Sequence, residues 1–219
     1  MLLSSLTELL PLLLKGLGVT LQITAAGLVV ATCAAFTAGL GISSNHRAVR
    51  ALARAYIDLF RGTSALVQLF WVYYALPIFG LHIEAMPAAI VVLGLNIGAY
   101  GAEVVRGALA AVPQEQAEAA AALNLTERQT LWHIRLPQAL PAMMPPFGNL
   151  AIELLKSTAL VSLITLADLT FQAQVLRAST LQTAEVFGLV LVLYFTVAWM
   201  LGQSVRWLER CLARSQGRA

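Results

Sequence analysis

Five stretches of this chain are apolar for about twenty residues each, near residues 17–42, 56–79, 87–105, 141–164 and 186–207. A helix of that length crosses the roughly 30 Å hydrocarbon core of a bilayer. Lipid offers the backbone no hydrogen-bond partner, so a spanning segment must satisfy itself as a helix or in a closed barrel. Runs this long choose helices. The overall balance agrees, with 59% apolar and 11% charged residues where a soluble domain carries roughly 25% charged. The expected fold is therefore an all-α membrane protein of about five transmembrane helices in one domain. Ahead of the first run, Leu2 to Leu14 contains Glu8 and Pro11 and is too short to span. It is expected to form an interfacial helix.

Orientation follows from the basic residues. Arg47, Arg50, Arg54 and Arg61 flank the first connection, Arg106, Arg128 and Arg135 the third, and Arg206, Arg210, Arg214 and Arg218 close the chain. The alternate segments hold Lys15 and Arg177, and Lys156 lies inside a run. Basic residues gather on the cytoplasmic side, which places the N-terminus outside and the C-terminus in the cytoplasm. The same pattern argues against nucleic acid as a partner, because the arginines sit at the ends of apolar runs. Cys33 and Cys211 lie far apart, in a span and in a basic tail, so neither a disulfide nor a metal site is expected. His46, His82 and His133 have no ligand partner at useful spacing. The N-terminus does not read as a cleaved signal, since its first basic residue, Lys15, follows the first apolar stretch.

The connection between the third and fourth runs, residues 106–138, is the most specific segment. Pro113 can open a helix, and the alanine-rich stretch after Glu115 favours one. Asn124 suits a left-handed helix stop. Thr126 can cap a second short helix with Glu127 in its first turn, and Pro137 is expected to end it. The result is a helix–turn–helix outside the membrane, with a flat alanine face open to close approach.

Its full spacing is Glu118-Ala119-Ala120, three residues, Asn124, nine residues, then Ile134-x-Leu136-Pro137. This resembles the EAA loop of binding-protein-dependent ABC transporter permeases, which has glycine where Asn124 stands. Three further stretches resemble the polar amino-acid, histidine/glutamine-type branch of that family. They are Tyr56 to Thr63 with Leu66 to Leu69, Leu95 to Tyr100 with Glu103 and Arg106-Gly107, and Leu154 to Ser162. Ser64, Ser157 and Ala159 depart from the usual proline, aspartate and serine.

The resemblance implies the type I importer permease fold and a role as transport subunit rather than enzyme. It implies that Glu118, Ala119, Ala120, Asn124, Ile134, Leu136 and Pro137 form the coupling element docked in a groove of an ATPase. It also implies the partners: a second permease, identical or homologous, two ATP-binding cassette subunits and an external solute-binding protein, in a bacterial inner membrane. The chain has no phosphate-binding loop of the G-x-x-x-x-G-K-[ST] kind, so ATP hydrolysis must come from a partner. No cofactor is implied.

Charges inside spans are costly and mark candidate functional sites. Glu103 stands near the inner end of the third run, where it either pairs with Arg106 or Arg61 or faces a cavity. Glu153 and Lys156 are three apart and share a helix face; they either neutralise each other or line a path. Asn96 and Tyr100, four apart, either bond neighbouring helices or meet solute. With Thr158 these are the substrate-path candidates. The solute would be a polar amino acid, an opine or a compatible solute such as ectoine. A membrane-embedded enzyme would need a catalytic pair that the runs lack, and a bare scaffold would not explain the helix–turn–helix.

Overall fold

The computed structural model describes the backbone of residues 2–215 and the side chains of residues 10–211. Its helices are α1 (Leu2–Ile42), α2 (Arg47–Gly62), α3 (Ala65–Phe70), α4 (Ala85–Ala110), α5 (Gln114–Ala122), α6 (Glu127–Thr130), α7 (Leu136–Ser157), α8 (Leu169–Thr180) and α9 (Thr183–Ser215). A π-helical turn (Trp71–Ala75) and a 3₁₀ turn (Leu76–Phe79) extend α3, another π turn (Leu131–Arg135) joins α6 to α7, and a 3₁₀ turn (Thr158–Ile164) ends α7. No strand occurs among the described residues. Four helical segments are long and apolar enough to cross a membrane, and a fifth if the bent pair α2–α3 counts as one span.

Two boundaries differ from the sequence reading. The segment expected as a separate interfacial helix is continuous with α1, which runs unbroken across Pro11. The fourth span does not begin after a helix ended by Pro137. Helix continues from Glu127 to Ile164; Pro137 falls directly after the π turn, in the first turn of α7, where its missing N–H is tolerated.

α4 is the most buried span and α9 the least. Its close partner is α1, and the seam between them is made of small residues. A side-chain carbon on Gly94 would come within 2.7 Å of Val30, and one on Gly98 within 2.7 Å of Ala34. Membrane helices gain no hydrophobic drive from meeting each other, so close approach through small residues supplies the van der Waals contact. α9 packs along α7, where Val205 fills the space at Gly148. Its outer face exposes Leu191, Val192, Phe195 and Trp199, a surface suited to lipid.

The pair α2–α3 is sharply bent. α2 and α3 meet at an angle of 103° across Thr63 and Ser64. Tyr56 donates to the carbonyl of Leu95 at 2.6 Å, which fastens α2 to the middle of α4. Ile57 packs with Ala38 and Ala102. α8 is started by Asp168, whose carboxylate accepts from the backbone N–H of Phe171 at 2.9 Å and of Thr170 at 3.2 Å.

Candidate functional site: the loop and the in-span charges

α5 and α6 have the local geometry that their sequence dictates. Asn124 has φ 56°, in the left-handed region. The N–H of Leu125 reaches the carbonyl of Ala120 at 3.1 Å, and that of Asn124 the carbonyl of Ala121 at 2.9 Å. These are the two bonds of a Schellman stop. Thr126 then opens α6 with a reciprocal capping box to Gln129. Asn45, in the connection between α1 and α2, donates to Glu127 at 2.8 Å, so the two arginine-flanked connections lie at the same end of the bundle.

The loop is anchored from below. Arg135 donates to the carbonyl of Leu109 at 2.9 Å, satisfying the last turn of α4. Leu136 is buried with Val105, Leu109, Ala139 and Met143, and Ile134 is half-buried. Gln138 donates to Gln116 at 3.3 Å, tying α5 to α7. Pro137 is exposed.

One expectation about the loop is corrected. Ala120 was expected to give close approach to a partner, but its exposure is 0%. It is buried within this chain, on a helix that packs against the chain's own π turn. Glu118 and Ala119 are exposed, as is Leu123 at 73%. The outward surface of α5 therefore includes Glu115, Glu118, Ala119, Ala122 and Leu123, neighbours at steps of one, three and four residues.

The in-span candidates separate into two groups. Asn96 and Thr158 are turned inward, away from the surface of the single chain. Asn96 is 7% exposed and donates to the carbonyl of Phe60 at 3.0 Å and to the side-chain oxygen of Gln68 at 3.1 Å. Gln68 in turn donates to Phe60 and to the hydroxyl of Thr63. This polar knot holds the break between α2 and α3. Thr158 is 0% exposed and its hydroxyl donates to the carbonyl of Leu155 at 2.7 Å. Gln68 lies within the family-like stretch Leu66 to Leu69, four residues after Ser64, but nothing in the sequence singles it out as the partner of Asn96.

The remaining charges stay at the surface of the single chain. Glu103 pairs with Arg106 at 2.7 Å and with Arg61 at 3.9 Å, and the Arg61 guanidinium lies 5.3 Å from the centre of the half-buried Tyr100 ring. Glu153 and Lys156 are both exposed and form no ion pair with each other. No group of three or more metal-ligating side chains occurs among the described residues.

Replacing Asn96 by alanine is expected to loosen the bend without altering solute recognition. A hydrogen bond between membrane helices contributes about 0.6 kcal/mol on average, so the loss of two should cost roughly 1–2 kcal/mol. Thermal melting of the purified complex should fall while the concentration for half-maximal uptake stays constant. A changed half-maximal concentration with unchanged melting would place Asn96 on the path.

The family model for the inner membrane component of binding-protein-dependent transport systems matches residues 10–215. A probable amino-acid ABC transporter permease protein, y4tF of Sinorhizobium fredii, is 46% identical over 93% of this chain and 88% of its own length. The glutamine transport system permease protein GlnP of Escherichia coli is 36% identical over 94% of this chain and 95% of its own. Among solved structures, an amino acid ABC transporter crystallised with histidines superposes with a TM-score of 0.87 at 32% identity, covering 94% of this chain and 96% of that one. Such permeases are transport subunits, not enzymes, and work with ATPase and binding-protein partners. With the match spanning every helix described, this chain belongs to the family of binding-protein-dependent transport system inner membrane components, the permease subunits of ABC importers.

Proposed function

We propose that this permease carries a polar amino acid or a closely related small solute inward across a bacterial inner membrane. The path runs along a seam between two permease subunits, identical or homologous. Two ATPase subunits dock on the loop formed by α5 and α6 at the cytoplasmic end, and an external binding protein delivers solute to the other. The supporting observation is the pair Glu153 and Lys156: two opposite charges on one face of a spanning helix, exposed and unpaired with each other. Facing lipid, each would cost a few kcal/mol; facing a water-filled seam, neither does. They also match the ammonium and carboxylate of a zwitterion.

The experiment is uptake into proteoliposomes containing the full complex, with labelled L-glutamine, L-histidine and ectoine as probes. Glu153→Gln and Lys156→Gln together should reduce uptake at least tenfold while the ATPase subunits still co-purify. Undiminished uptake in the double variant would remove the pair from the path. Failure of any ATPase to co-purify with the unaltered chain would overturn the assembly.

A further inference from the structure

The charges of α2 share one face. Arg47, Arg50, Arg54, Asp58 and Arg61 recur at steps of three and four residues. Ala53 and Ile57 occupy the packing face, while Leu52 and Leu59 are exposed on a third, apolar face. α2 is not a surface helix. Ala53 abuts Gly41 near the end of α1, and the carbonyl of Phe60 is met by Asn96, midway along α4. The helix therefore climbs from the arginine-rich end of the bundle to about half its depth, and the charged face climbs with it.

At that depth a charge exposed to hydrocarbon costs a few kcal/mol. Asp58 and Arg61 are nevertheless exposed. In the single chain this face is open, and water in the assembled transporter would solvate it, while the apolar face with Leu52 and Leu59 suits lipid or protein. The sign is uneven. Arg61 is matched by Glu103, but among the described residues Arg47, Arg50 and Arg54 have no carboxylate within ion-pairing distance. Asp58 is the sole acidic residue on the α2 face.

We propose that the arginine face of α2 lines an aqueous vestibule reaching from the arginine-rich end of the bundle to mid-depth, and that its positive potential favours carboxylate-bearing solutes without net positive charge over net-cationic ones. This rests on the transport reading above and specifies the charge class that the path passes. A cleft walled by low-dielectric protein and lined by one sign of charge concentrates the opposite sign by a factor of about 10 to 1,000. Glu153 and Lys156 cancel each other and leave that balance intact.

The test uses the assembled complex, ATPase subunits retained, in vesicles with the arginine-rich end facing out. Cys33→Ser and Cys211→Ser remove the native thiols, both of which are exposed. Single cysteines are then placed by Arg54→Cys, Asp58→Cys and Ala51→Cys on or beside the charged face, and by Leu52→Cys and Leu59→Cys on the apolar face. Anionic sulfonatoethyl and cationic trimethylammonioethyl methanethiosulfonates are the probes. The expected result is reaction at positions 51, 54 and 58 and protection at 52 and 59. At Ala51→Cys the anionic reagent should be favoured about tenfold, relative to a free thiol, and Arg50→Gln with Arg54→Gln should abolish the preference. Protection at both 54 and 58 would overturn the vestibule, and equal rates at Ala51→Cys would overturn its charge. Because labelling is read on complexes that keep their ATPase, either failure leaves the importer reading standing.

Discussion

Gly98→Leu is expected to yield almost no monodisperse permease, because it wedges apart the two helices on which the bundle is built. An added carbon at Gly98 would lie 2.7 Å from the Cβ of Ala34 and 3.0 Å from the carbonyl oxygen of Ala31. Neither is the flexible end of a side chain, so α1 and α4 must separate. Overpacking of this kind typically costs about 1–3 kcal/mol, occasionally more, against a total stability of roughly 5–15 kcal/mol. Even Gly98→Ala should lower the melting temperature. Gly107, on the same helix, has nothing within 4 Å of an added carbon. There Gly→Ala should stabilise by about 0.5–1 kcal/mol through the unfolded chain. Size-exclusion profiles and melting curves of the three variants check this. Equal behaviour at the two glycines would mean that the α1–α4 seam is not close-packed.

The second large effect is expected in the loop, where two neighbouring alanines should fail differently. Ala119 is exposed and Ala120 is not. Ala119→Leu combined with Glu118→Lys should abolish uptake while the permease stays folded, because bulk and reversed charge are added on the outward face of α5. Ala120→Leu should instead disturb the packing of α5 on the π turn. Uptake would be lost there too, with greater protease sensitivity of the loop even without ATPase. Asn124→Gly should be tolerated, since glycine accepts the φ of 56°. Asn124→Val should not be, since a branched side chain in that region costs roughly 1–2 kcal/mol. The measurements are uptake, ATPase co-purification and limited proteolysis. Full transport by the Glu118→Lys, Ala119→Leu chain would show that α5 is not the docking element.

The loop shows how far local chemistry carries. Asn124 and Thr126 were legible as stop and start because a helix terminus is decided by the few residues whose orphan N–H and C=O groups need partners. The role of Pro137 was not legible. Proline normally ends a helix, but Pro137 falls in the first turn of α7 directly after the π turn of Leu131–Arg135, where its missing N–H is tolerated. Nor could periodicity tell Ala119 from Ala120, since both suit a helix and differ only in what lies beside them.

Glu103 was legible in part, because Arg106 is three residues away on the same helix. Its second partner, Arg61, comes from another helix. The charges Glu153 and Lys156 have the spacing of an intrahelical pair, yet do not pair. Spacing permits contact without requiring it.

The amino-acid sequence by itself determined the solvent, the all-helical fold, the alternation of basic connections and the helix–turn–helix between the third and fourth runs. Each follows from quantities summed over a window or set within one helical turn. Only the tertiary structure decided that helix breaks between α2 and α3 at Thr63 and Ser64, that Asn96 bonds to that break, and that Thr158 and Ala120 face inward. Those outcomes depend on groups distant in the chain. The amide of Asn96 reaches Phe60 and Gln68, 36 and 28 residues away, and Ala120 is buried on a helix that packs against the π turn. Hydropathy ranks how costly a residue is in lipid. Which residues escape that cost by packing, and which by facing water, is decided when the helices meet.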